Sequence, residues 1–371
     1  MTPSSRVPFL DLRAAYRELE TEIDAATKRV VQSGWYVLGR EVEAFEAEFA
    51  SYVGTRHCVG VASGTNAITL ALLAAGIAAG DEVLVAAHTC TPTWLGITHA
   101  RAVPVPVDVS PSTLTMDTNA LSASISPRTR AIMPVHIYGQ TCNMYEINSI
   151  ARSQGLAVIE DAAQAHGASW NGRRAGTLGN AAAWSFYPTK NLGAVGDAGA
   201  VTTDDSGLAE RVRSLRNYGW TERYSAGERG FNSRLDELQA AILRAKLPVL
   251  DEWNNRRSVI ASSYLQALRN TDLALPQVAE GAIPSWHLFA VRTPPRDKLR
   301  QHLAAQGVQT LVHYPVAPHL QPAFADLGYL RGSLPVAESV ADGVLSLPMG
   351  PHLEDDAVGR VIDAVHSFFS S

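Results

Sequence analysis

Between residues 58 and 203, seven short apolar runs are separated by longer polar or helix-forming stretches, and this alternation constrains the fold most. The runs cover 58–62, 82–86, 102–107, 130–136, 156–160, 181–186 and 200–203. Strands that are apolar on both faces need cover on both faces. The pattern therefore predicts an α/β fold with a mainly parallel seven-stranded sheet flanked by helices. Within it, Ser63-Gly64-Thr65-Asn66-Ala67 opens a helix through Leu73, and Asn171-Gly172 reads as a hairpin turn.

Helices precede the sheet. Leu12, Tyr16, Leu19, Ile23, Ala26 and Val30 recur at helical spacing and stop at Gly34, predicting one amphipathic helix over 11–33. After an aromatic loop, Ser33 to Arg40, a second helix carries Val42, Phe45, Phe49 and Tyr52 and closes at Gly54. Beyond Gly230 the character changes. Leu235, Leu238, Ile242 and Leu247 share a helical face, and Pro248 should break the helix before it resumes toward Leu268. Strands over 286–292 and 311–314 with a helix over 298–305, in a proline-rich context, predict a smaller α+β domain. The expected division is a large domain over 1–245 and a small one over 246–371.

Composition serves mainly to exclude. A hydrophobic content of 46% with 18% charged residues describes a soluble globular chain. A net charge of −5 gives no reason to propose nucleic acid or a membrane surface as partner. Met1 to Arg6 lead straight into Val7-Pro8-Phe9 without a secretory apolar region, and no run reaches membrane-spanning length. Cys58, Cys90 and Cys142 are odd in number and unspaced for zinc, which fits a reduced, cytoplasmic setting.

Three features carry chemistry. Lys190 stands on a turn broken by Pro188, directly behind the apolar run ending at Phe186, where an amine can enter a pocket as a Schiff-base lysine. Most lysines are instead solvated surface charges. Asp161 follows the run 156–160, at the strand end where open α/β sheets bind ligands, and a carboxylate there could keep a pyridine nitrogen protonated. Position alone leans to a helix cap for Asp161-Ala162-Ala163-Gln164, with Gln164 and His166 either lining the same pocket or ending a strand. Ser63-Gly64-Thr65 joins a strand to a helix start, an arrangement that aims free N–H groups at a phosphate.

Other readings fall away. No P-loop lysine follows Thr65, and Gly193, Gly196 and Gly199 lack dinucleotide spacing. Ser185 is not in a nucleophile elbow. His313 and His319 lack a completing ligand set for a metal and read as satisfied loop histidines or substrate contacts. A phosphate cradle, a strand-end acid and a turn lysine, in that order, are what pyridoxal phosphate requires.

With these residues in view, the chain resembles the DegT/DnrJ/StrS sugar aminotransferases, pyridoxal-phosphate enzymes of fold type I. The resemblance is carried by Val7-Pro8-Phe9-Leu10-Asp11-Leu12, Ser33-Gly34-Trp35-Tyr36 and Pro134-Val135-His136-Ile137-Tyr138-Gly139-Gln140. It continues through Glu160-Asp161-Ala162-Ala163-Gln164, Ser185-Phe186-Tyr187-Pro188-Thr189-Lys190, Leu215 to Gly219 and Asn232 to Ala241. His313-Tyr314-Pro315 and Leu345 to His352 look like the subgroup acting on nucleotide-linked 3-keto-6-deoxysugars.

The resemblance implies roles. Lys190 would form the Schiff base and carry the proton, Asp161 would pair with the pyridine nitrogen, and Gln164 would bond the phenolic oxygen. Gly64, Thr65 and Ser185 would hold the phosphate, joined by Asn232 of a neighbouring subunit in a homodimer with shared sites. Tyr36, Arg223, Tyr224, His313 and Tyr314 would contact substrate. One departure stands out: Cys90 occupies the position where the family often stacks an aromatic on the cofactor ring, so either Trp94 or another ring substitutes or the stacking face is weaker. The implied reaction moves an amino group from L-glutamate to a dTDP-3-keto-6-deoxyhexose in amino-sugar biosynthesis. A 4-keto sugar, an aminocyclitol ketone and a non-catalytic regulatory role are the alternatives; a dehydratase would carry histidine in place of Lys190.

Overall fold

The computed structural model describes residues 6–370, so the readings of Met1–Ser5 and Ser371 lie outside it. The helix expected over 11–33 is two, α1 (Leu12–Glu18) and α2 (Glu20–Ser33). Leu19 between them leaves helical geometry at φ −122° and ψ 27°, its N–H bonded to the Tyr16 carbonyl at 3.0 Å. Apolar periodicity runs through a one-residue break without registering it. Helix α3 (Arg40–Val53) closes at Gly54, whose φ of 92° suits a residue without Cβ. Its start is capped from afar: the Glu237 carboxylate accepts the N–H groups of Gly39, Glu41 and Val42 at 2.8, 2.9 and 2.9 Å.

The apolar runs become strands. In chain order the next elements are β1 (His57–Val61), α4 (Gly64–Ala74), β2 (Glu82–Ala86), α5 (Thr91–His99) and β3 (Val103–Val107). They continue with α6 (Thr118–Leu121), β4 (Thr129–Met133), α7 (Met144–Gln154) and β5 (Ala157–Asp161). A short hairpin, β6 (Ser169–Trp170) and β7 (Arg173–Arg174), turns at Asn171-Gly172 as expected. Then come β8 (Ala181–Ser185) and β9 (Gly199–Thr203). The seven-stranded sheet has the order β1-β9-β8-β5-β4-β2-β3. Its pairs are parallel except those of β9, which runs against both β8 and β1.

Helix α8 (Ser206–Leu215) precedes a second hairpin, β10 (Trp220–Glu222) and β11 (Ser225–Ala226). Helix α9 (Glu237–Lys246) ends before a 3-10 turn holding Pro248, and α10 (Leu250–Leu268) resumes, the break the proline predicted. The rest comprises β12 (Ala282–Ile283), β13 (Phe289–Arg292), α11 (Arg296–Ala305), α12 (Pro335–Gly343), β14 (Val344–Leu347) and α13 (Asp355–Phe369). The strand expected over 311–314 is not formed. Leu311 makes one bridge to Ser346, while β13 pairs with β14. Side chains anchor the segment instead: Tyr138 Oη donates to the His313 carbonyl, and His313 Nδ1 bonds Ser346 Oγ at 2.9 Å.

Each sheet face is covered. On one side Ile68, Leu70 and Leu72 of α4 and Ile97 of α5 pack on Val59, Val83 and Ile159. On the other, Phe45 and Phe49 of α3 meet Trp184 and Phe186, with the Phe49 ring edge-on to both at 5.2 and 5.1 Å. Burying one such phenylalanine stabilises the fold by roughly 1.5–3 kcal/mol, which fixes the β8 end that leads to Lys190. A separate cluster gathers Tyr264, Phe289, Leu299, Leu345 and Val361, joined by Val7. Among the described residues no helix is long and apolar enough to cross a membrane.

Candidate active site

At the carboxyl ends of β2, β5 and β8 lies a cavity of about 400 Å³. Gly64, Thr65, Cys90, Asp161, Gln164, Ser185, Lys190, His313 and Tyr314, all singled out in the sequence, line it. Residues from ends far apart in the chain converge because parallel strands end on one side of a sheet.

Asp161 is the last residue of β5, and no helix follows it, so the helix-cap reading is overturned. Its Oδ1 accepts the Ala163 N–H at 3.1 Å and its Oδ2 accepts the Thr93 hydroxyl at 2.8 Å. Burial pushes the Asp161 carboxyl above its ordinary value, and Thr93, Ala163 and the Lys190 charge pull it back. For Lys190 the signs invert: burial pushes the amine down, and Asp161 draws it up. A buried acid and a half-buried amine, each shifted toward neutrality in one cleft, mark a reactive site rather than a surface pair.

The Ser63 hydroxyl accepts the Asn66 N–H at 3.2 Å and so caps α4. The N–H groups of Gly64 and Thr65 make no hydrogen bond among the described residues, and both residues line the cavity. Glycine is required at 64: a Cβ there would lie 2.6 Å from Ser185 Cβ. Two free N–H groups at a helix start beside a serine hydroxyl suit a phosphate.

Gln164 is fixed at both ends. Its Oε1 accepts the Tyr138 N–H at 2.6 Å, and its Nε2 donates to Tyr314 Oη at 2.9 Å. Cys90 lies before α5 and lines the cavity with Tyr314; burial pushes its thiol up. Trp94 does not replace an aromatic at that position. Its ring is fully buried against Phe324 with centroids 5.2 Å apart, and its Nε1 donates to the Ala86 carbonyl at 3.3 Å.

His166 does not line the cavity either; its ring is sealed between Trp184 and Phe186, where burial pushes it down to about 3. His319 is buried away from the site on Glu338 at 3.1 Å. Tyr36, Arg223, Tyr224 and Asn232 are exposed and stand outside this chain's own cavity. Sequence reasoning missed Thr93 and His287. The latter lines the cavity, its Nδ1 3.1 Å from Asn191 Oδ1 and its charge suppressed by burial. Asn191, next to Lys190, was the one available signal for it. The donors and acceptors present fit pyridoxal phosphate: a phosphate cradle, a carboxylate, an amide and an unpartnered lysine in one cavity.

Comparison with known proteins agrees with this geometry. The model of the DegT/DnrJ/EryC1/StrS aminotransferase family matches residues 17–366. The chain is 54% identical over 364 residues to a dTDP-3-amino-3,4,6-trideoxy-alpha-D-glucose transaminase of Streptomyces venezuelae, covering 98% of this chain and 96% of that one. It is 48% identical over 362 residues to a dTDP-3-amino-3,6-dideoxy-alpha-D-galactopyranose transaminase of Aneurinibacillus thermoaerophilus, covering 98% and 99%. The solved structure of S. venezuelae DesV in complex with a ketimine intermediate superposes with a TM-score of 0.98 at 53% identity, over 99% of this chain and 100% of that one.

Proposed function

The chain belongs to the DegT/DnrJ/EryC1/StrS aminotransferase family, and on that premise we propose that it moves an amino group from L-glutamate to a dTDP-3-keto-6-deoxyhexose. It is a pyridoxal-phosphate-dependent aminotransferase acting on a nucleotide-linked keto sugar. The observation that carries the reading is that Lys190 and Asp161 line one cavity with Gly64 and Thr65, whose N–H groups are free among the described residues. The 3-keto position and the dTDP group are supported by the names of the two transaminases above.

Bound pyridoxal phosphate supplies an electron sink and a carbon that carries the amino group between the two substrates. Gly64, Thr65 and Ser185 hold its phosphate, Gln164 its phenolic oxygen, and Asp161 keeps its ring nitrogen protonated. Lys190 anchors it, then moves a proton as base and acid; its suppressed charge leaves a larger neutral fraction able to accept one. Thr93, through its hydroxyl, and Ala163, through its N–H, fix the orientation of the Asp161 carboxylate.

The active unit in this reading is a homodimer in the cytoplasm, in which Tyr36, Arg223, Tyr224 and Asn232 serve the neighbour's site. Their exposure outside their own cavity supports that assignment. The division into units over 1–245 and 246–371 is likewise proposed, on the support of the separate apolar cluster around Tyr264 and Phe289.

Protein saturated with pyridoxal phosphate is expected to show a visible absorbance band that L-glutamate bleaches and that Lys190→Ala lacks. A protein that gains no band sinks the reading. The reverse reaction on 3-amino and 4-amino dTDP-sugars tests the regiochemistry; equal rates refute the 3-keto assignment. Mixed dimers of Lys190→Ala and Asn232→Ala are expected to recover activity in one site of each dimer, and no recovery counts against shared sites.

A further inference from the structure

Tyr138 holds two residues of the cavity at once. It sits at φ 59°, in the left-handed region, between β4 and α7. From there its backbone N–H reaches Gln164 Oε1 at 2.6 Å, and its hydroxyl donates to the carbonyl of His313. That hydroxyl is itself held by His88 Nε2 at 2.6 Å, and His88 is fully buried. One residue, through its backbone N–H and its hydroxyl, thus sets both the Gln164 amide and the segment that presents Tyr314.

The hydrogens follow from this. Because Gln164 Oε1 is occupied as an acceptor, Nε2 must be the end that faces Tyr314, and it carries two hydrogens. One goes to Tyr314 Oη, leaving the other for a ligand in the cavity. Tyr314 Oη accepts from Gln164, so its own proton points elsewhere. Among the described residues that proton has no hydrogen-bond acceptor, and the Cys90 thiol, which lines the same cavity, is only a weak one. An anionic oxygen beside Gln164 would therefore outcompete sulfur for that proton.

We propose that Tyr314 is a second hydrogen-bond donor to the cofactor's phenolic oxygen, alongside Gln164, rather than a substrate contact. The inference rests on the cofactor reading above. Two donors hold the phenolic oxygen in its anionic form, which lowers the pH at which the bound cofactor releases its proton.

The test is a pH titration of the visible band in protein saturated with pyridoxal phosphate, which reads the cofactor directly and not turnover. Tyr314→Phe keeps the ring and removes the donor, so the midpoint is expected to rise by about one pH unit. Replacing Tyr314 with 3-fluorotyrosine, a stronger donor of nearly the same shape, is expected to lower it, and this second variant reads the bond even if the first disturbs folding. Cys90→Ala is expected to leave it in place. An unmoved midpoint in the Phe and fluorotyrosine proteins, with a normal band, overturns this inference alone. Wild-type protein without a band overturns the cofactor reading and this inference with it.

Discussion

The cavity wall and the β10–β11 hairpin hold their side chains in opposite ways. Around the cavity Asp161, Gln164 and Asn191 are buried and each makes at least two hydrogen bonds within the chain. On the hairpin, Trp220 lies 5.1 Å from the Tyr218 ring and 5.4 Å from Tyr224, and Arg223 covers the Tyr224 ring at 5.0 Å, in water. Buried polar groups must find partners and so take one orientation. Exposed stacks are worth about 0.5–1 kcal/mol and let the loop rearrange. The chain thus holds the groups proposed for bond-making in fixed orientations, and leaves the hairpin side chains proposed for the substrate exposed.

Substitutions on the two sides should therefore differ in kind, and the largest effect belongs to the wall. Lys190→Ala is expected to lower the single-turnover rate roughly 10⁴-fold or more while the melting temperature holds. A residual rate within tenfold of wild type would break the comparison at its centre. Asp161→Ala should cost about 10³-fold in kcat, and Thr93→Val, which removes only its supporting hydroxyl, about tenfold. If Thr93→Val matched Asp161→Ala, the carboxylate's orientation would matter as much as its charge, and steady-state kinetics would show it.

Gly64→Ala should weaken cofactor binding roughly ten- to a hundredfold, because the new Cβ falls 2.6 Å from Ser185 Cβ. Fluorescence titration with pyridoxal phosphate measures this, and unchanged affinity would mean the cradle lies elsewhere. The smallest expected effects lie on the hairpin. Arg223→Ala and Tyr224→Ala should raise KM for the sugar nucleotide about tenfold with kcat unchanged. A fall in kcat with no change in KM would show that the hairpin serves the chemistry, and the contrast between the two regions would fail.

Legibility in the sequence followed the same division. Strands buried on both faces must be apolar, so 82–86 could be read to the residue, and β1, β3, β5, β8 and β9 to within one or two. Helices α5, α6, α7, α8, α12 and α13 went unread, although α8 and α13 bury apolar residues at helical spacing, and α1 and α2 merged because the periodicity runs through the single-residue break at Leu19. The segment 311–314 read as a strand because its residues suit one. Its bonds go to Tyr138 and Ser346, partners that no local pattern names.

By itself the sequence determined the apolar strands, the lysine on its turn, the acid at its strand end and the glycine that opens α4. Each follows from local chemistry: an apolar run, a proline, a residue without Cβ. Only the tertiary structure decided that Asp161 is held by Thr93, 68 positions away, and that Trp94 faces the core. It alone decided that Tyr138 sets Gln164 and Tyr314 together. A hydrogen bond depends on where two atoms meet in space, and residues far apart in the chain acquire that relation only when the sheet and its helices close around them.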